Sequence, residues 1–192
     1  QNKQNVNLNE DRYYIDKSVI MKEDERNLIL SEIEKKMNKK IKIINKLYQA
    51  TIDGGDPAKF HSKCDNKPNT LVIIKSQDQK RFGGFTPIPW KLDEKGVYEK
   101  DNEKKTFIFS LDDKKIFSAN SSSPVYHSKD CGPCFGRGWD IGIEGNPINE
   151  NKLWVFKSSS FDYNGYNSSL SECNYSNKGK ALEYEVFQVI FN

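Results

Sequence analysis

Histidine is scarce in this 192-residue sequence, with two copies, and there are four cysteines and two methionines. No apolar run approaches the ~18–20 residues that a membrane-crossing helix needs. The nucleophile elbow G-x-S-x-G, the P-loop, H-E-x-x-H and a strand-linked G-x-G-x-x-G are all absent. A Ser/His or Cys/His nucleophile would have to use His61 or His127. Cysteine is too sparse for the disulfide framework of a small secreted domain, which points to a reduced, cytoplasmic interior. The opening QNKQNVNLNE carries no secretory signal and no initiator methionine, so the sequence reads as the end piece of a longer protein. Thirty basic against 27 acidic residues leave a net charge of +3. That lacks the concentrated basic face that nucleic acid demands.

What is present is a polar, charged chain: 30% charged residues and a mean hydropathy of −0.81. The length suits one domain with an appendage, enough for a real core. Abundant Asn, Lys and Ile are typical of an AT-rich genome such as a protist's. Residues 1–18 are polar and Asn-rich and are expected to form an extended or disordered arm. From Lys22 to Tyr48 the positions Leu30, Ile33, Met37, Ile41, Ile44 and Tyr48 recur at helical spacing. This predicts an amphipathic helix over 19–46, in one piece or two. It either lies on the domain's own core or joins two copies as a coiled coil. The domain itself is expected over 47–192.

Asp53-Gly54-Gly55-Asp56-Pro57 stops the helix, with Asp56 as N-cap and Pro57 at the first position of a short helix to Cys64. Phe60 and Cys64 then share a face and His61 points elsewhere, as a structural hydrogen-bonding group. A turn at 66–69 leads to the β-branched run Thr70–Ile74, a buried strand. Its hairpin partner is Arg81–Phe85, where Gly83-Gly84 suggests a bulge or a close backbone approach. Further strands are expected at 106–111, 115–118, 125–127, 139–143, 153–156 and 182–190. In the last, Tyr184, Val186 and Phe187 should be buried and Glu185 partnered. Short strands joined by turns, with helices in front and no βαβ alternation, predict an α+β fold. Its two antiparallel sheets pack as a sandwich with flanking helices, preceded by the amphipathic helix.

One ordered series of segments resembles a known family. It begins at Leu47-Tyr48-Gln49-Ala50-Thr51 and Asp53-Gly54. It continues through Phe60-His61-Ser62-Lys63-Cys64-Asp65, Thr70–Ser76 and Phe82-Gly83-Gly84-Phe85-Thr86 with Trp90. It ends with Phe107–Leu111, Gly132-Pro133-Cys134-Phe135-Gly136 with Asp140, and Glu185-Val186-Phe187. Together these resemble a TLDc domain over roughly 41–190. The resemblance departs where Gln49-Ala50-Thr51 replaces an arginine-serine ending. It implies a two-sheet sandwich and a noncatalytic protein-binding module, associated with oxidation resistance and docking onto the vacuolar-type proton ATPase. It implies no cofactor and no metal.

Three other readings compete. Cys131-Gly132-Pro133-Cys134 has the spacing of a dithiol redox site, yet Phe135-Gly136-Arg137-Gly138 is a poor start for the helix that such chemistry needs. His61 and Cys64, joined to His127, Cys131 and Cys134, have zinc-ligand spacings if the segments meet. Asp53, Asp140 and Glu185 form an acidic set, or serve as turn caps and a strand-face charge. The expected function is therefore a cytoplasmic protein-interaction module without nucleic-acid binding or membrane insertion, able to dimerise through its helix. The alternative is an architectural subunit of a cytoskeletal or ciliary assembly, and the third reading is a thiol enzyme.

Overall fold

The computed structural model describes residues 14–15, 17–173 and 176–192. In chain order the elements are β1 (Tyr14–Ile15), α1 (Glu23–Met37), β2 (Ile41–Gln49), α2 (Ala50–Asp53), α3 (Pro57–Cys64), β3 (Thr70–Ser76), β4 (Arg81–Thr86) and β5 (Val97–Glu99). They continue with β6 (Phe107–Ser110), β7 (Lys115–Ser118), β8 (Val125–His127), β9 (Cys131–Phe135), β10 (Ile141–Glu144), β11 (Leu153–Val155) and β12 (Ala181–Phe191). One sheet has seven strands in the order β1-β2-β12-β3-β4-β6-β7; the other has five, β11-β10-β9-β8-β5. All pairings are antiparallel except β1 with β2. The expected α+β sandwich is therefore what the chain builds.

Two apolar cores separate three layers. Val72, Ile74, Phe82, Ile108, Tyr184 and Val186 on the large sheet meet Phe135, Ile141, Ile143 and Leu153 of the small one. On the large sheet's other side, Leu71, Ile73, Phe85, Phe107, Phe109 and Phe187 are covered by Ile29, Leu30 and Ile33 of α1. The apolar face of α1, which a coiled coil would need, is thus spent on the domain's own sheet. Arg81 fastens the helix to the sheet, donating to Glu25 at 2.8 and 2.7 Å and to Asp112 at 2.9 and 2.7 Å.

The helix is shorter than its sequence period suggested. Acidic residues in its first turn and Lys35 and Lys36 in its last complement the helix dipole. Asn38, left-handed at φ 50°, ends it. Ile41 to Gln49 then form a strand, because pairing with β12 overrides the apparent period. The register with β12 shifts between Val186 and Phe187 and between Ile190 and Phe191. Each shift sets an extra β2 residue against the partner and reverses the alternation. Ile41 and Ile44 so fall on the α1 side and Tyr48 on the other. A helix-like spacing arises from a bulged strand.

The structure also decides between two readings of Gly83-Gly84 and moves one strand boundary. The hairpin β3–β4 pairs without a register shift, so Gly83 and Gly84 form no bulge. They are positions of close approach: a Cβ on Gly83 would lie 2.0 Å from the Val72 carbonyl oxygen. The strand expected from Trp139 starts at Ile141, since Trp139 is left-handed at φ 56° and closes a turn on Gly136. Residues 131–135 form a strand in the middle of the small sheet. The arm expected over 1–18 lies outside the described residues at 1–13 and 16, while residues 14–15 pair with β2.

Candidate functional site

The motif residues singled out in the sequence converge inside the sandwich. Asp56 precedes α3 with Pro57 at its first position, and the helix buries Phe60, His61 and Cys64. The Phe60 ring meets Trp90 edge-on at 5.6 Å, and Trp90 meets Phe135 at 5.5 Å. Trp90 Nε1–H donates to Thr70 Oγ1 at 2.8 Å. The glycines are the gaps that admit these rings. A Cβ on Gly132 would come 2.5 Å from Phe60, and one on Gly84 would come 2.8 Å from Phe135. Pro133 is buried in β9. At the strand's end Gly136, with φ 86°, leaves room for the Asp140 carboxylate, which a Cβ would meet at 1.8 Å. Val186 packs into the same core.

The acidic residues of this series are structural acceptors. Asp140 accepts from the Ser158 backbone at 3.0 Å, the Ser158 hydroxyl, and Tyr163 OH at 2.9 Å. Burial raises its pKa against those bonds. Glu185, on the α1 side of β12, pairs with Lys46 at 2.6 Å and accepts from Ser18 Oγ at 2.5 Å and Val19 N–H at 3.1 Å. Asp53 accepts from the Gln49 N–H at 2.9 Å and pairs with Lys63. The three lie in separate places and form no joint acidic centre. Gln49 and Thr51, where the sequence departs from the resemblance, bind Glu183 together: Gln49 Nε2 at 2.9 Å, Thr51 N–H at 3.1 Å and the Thr51 hydroxyl.

His61 and the loop before β9 do meet. His61 contacts Asp65 at 2.8 Å and the Ser128 carbonyl at 2.9 Å. Both ring nitrogens are therefore engaged, as expected of a structural histidine. His127 is also buried, edge-on to Trp90 at 5.7 Å, and neither ring nitrogen has a hydrogen-bond partner among the described residues. Burial, then Lys91, lower its pKa to about 4. All four cysteines are buried and unpaired. Burial and the neighbouring Cys131 thiol push Cys134 well above the usual thiol range, and burial does the same for Cys64. Among the described residues no cluster of three or more His, Cys, Asp or Glu is arranged to hold a metal ion.

A second constellation lies on the outer face of the small sheet. Trp154 and Trp139 meet edge-on at 5.4 Å, Trp139 lies 6.1 Å from Tyr126, and Tyr126 lies 4.8 Å from Tyr98. Lys178 sits 3.8 Å above Trp154 at one end, and Arg137 sits 5.3 Å from Tyr98 at the other. Trp139 lies over Gly142, whose Cβ would come 3.1 Å from the ring. Cys134 faces Gly142 and Cys131 faces Glu144 across the register, so both thiols belong to this face.

A model of the TLDc domain matches residues 14–190. The chain belongs to the TLDc family. The match starts upstream of the expected boundary at 47, so α1 and β2 fall within the matched region. No significant match to a curated protein is found. The TLDc motif residues are thus the frame of the sandwich. Sequence reasoning found that frame and missed the outer aromatic row. Its members are scattered over 98–154 at no regular spacing. The one available signal was a tryptophan between Gly138 and Asp140, in a stretch that alternated like a strand. Among the described residues no helix is long and apolar enough to cross a membrane.

Proposed function

We propose that this TLDc domain is a noncatalytic docking module that binds the vacuolar-type proton ATPase in the cytoplasm and contributes to resistance against oxidation. The observation that carries this reading is the family match over nearly the whole chain. Its support is the placement of the motif residues. Phe60, Trp90, Phe135 and their glycines fill the core, and Asp140 and Glu185 are consumed by internal bonds. Function then falls to the surface, as for a binding module. The buried thiols, with Cys134 held protonated, argue against the thiol-enzyme reading, since the thiolate is the nucleophile. The test is co-sedimentation of the 192-residue chain with the solubilised ATPase. Co-migration in a fixed ratio is expected. Absence of co-migration, or turnover in a disulfide-reduction assay, overturns the reading.

A further inference from the structure

Trp139 is a bulky residue with φ 56°. Left-handed backbone is ordinary for Gly and Asn, but in a large side chain it is a strained outlier of the kind that clusters at functional sites. The burial that would offset this is incomplete, because the indole is half-exposed. Gly142 supplies a bed for the ring, and Trp154 and Tyr126 hold it from either side.

Beside Trp139 lies a cavity of about 370 Å³, lined by Arg137, Gly138, Glu144, Trp154 and Lys178. That is the small end of the range for ligand cavities, ~300–1,000 Å³, and suits one apolar side chain with its adjoining backbone. Phe156, at 46% exposure, extends the apolar rim next to Gly138. Two cations and one carboxylate line the cavity. Glu144 lies 3.7 Å from Lys178, and the exposed Arg137 guanidinium stacks on Tyr98. Trp, Tyr and Arg dominate the energetics of protein interfaces, and complementary charge fixes their partners.

We infer that this face docks a short acidic segment of a partner protein. An apolar side chain seats in the cavity that Trp139 and Trp154 line together, and flanking carboxylates reach Arg137 and Lys178. The inference rests on the docking reading above and names its surface and the chemistry of its occupant.

The test is an indole-fluorescence titration of the full 192-residue chain with the peptide Glu-Asp-Leu-Asp-Glu. Controls are Lys-Lys-Leu-Lys-Lys and a thymidine oligonucleotide. Saturable binding of the acidic peptide alone is expected. It should weaken at least about tenfold in Arg137→Glu/Lys178→Glu, one factor of ten being 1.4 kcal/mol. Trp139→Gly suits the left-handed backbone and should stay folded while losing the peptide. Should that variant unfold, the charge-reversal pair, placed at the surface, still decides. No saturable signal, equal affinity in the charge-reversed protein, or preference for the oligonucleotide overturns the inference. Co-sedimentation with the ATPase without peptide binding sinks this surface and leaves the docking reading standing. Peptide binding without co-sedimentation does the reverse.

Discussion

At the scale of single residues, the sandwich is most sensitive where an atom is missing. Gly84→Ala drives a methyl into the Phe135 ring, and Gly136→Ala combines a clash with Asp140 and a φ of 86°. Each should lower stability by about 1–3 kcal/mol in denaturant titrations. Unchanged midpoints would show that the neighbouring rings yield. His127 gives a pH dependence. Its folded-state pKa of about 4 lies below the ordinary 6.5, so the unfolded chain binds the extra proton between these values. Stability is full above pH ~6.5 and falls as pH drops toward ~4, by about 3 kcal/mol at the limit. His127→Leu removes the need to bury an unpaired imidazole, and should flatten the dependence in that window. An identical slope in the variant would assign the acid sensitivity to other groups. The native thiols should resist alkylation at pH 8 and react only after denaturation, and Cys131→Ala/Cys134→Ala should keep partner binding. Rapid native labelling would reopen the thiol-enzyme reading. The roles of Phe60, Trp90 and the glycines were legible in sequence because an ordered series of motif segments marks them. Trp139 was not, because its strain exists only once the turn onto Gly136 has formed.

Among the elements, β12 has the largest consequence. It pairs with β2 on one side and β3 on the other, with Tyr184, Val186 and Phe187 buried. The two-sided apolar pattern made that position readable from sequence. A chain ending at Lys180 should show no cooperative unfolding by circular dichroism. A sharp transition near the parent temperature would make the strand dispensable. Glu185→Gln leaves Lys46 facing a neutral amide in a site where the carboxylate was fully buried. Breaking such a pair costs about 3–5 kcal/mol, so a stability change below about 1 kcal/mol would show that the Lys46 pair does not hold the strand. β2 was misread for the reason its register shows. Bulges restore a spacing of three within a strand, and pattern alone does not separate that from a helix. The hairpin β3–β4 was plain because a continuous β-branched run stands between turn signals and its register has no shift.

Across the whole molecule, the two faces of the large sheet are both covered, one by α1 and one by the small sheet. The outer side of the small sheet is left to carry the half-buried Trp139, and partner capture should be lost by changes there before stability is. The strand order also bears on how the molecule fails. β12 fills the gap between β2 and β3, elements more than a hundred residues earlier in the chain. Until it arrives, two apolar strand edges stay open to the same kind of hydrogen bonding from any neighbour. An equivalent strand from a second copy would satisfy that gap as well as the chain's own, so concentrated refolding should yield strand-exchanged dimers and larger aggregates in proportion to protein concentration.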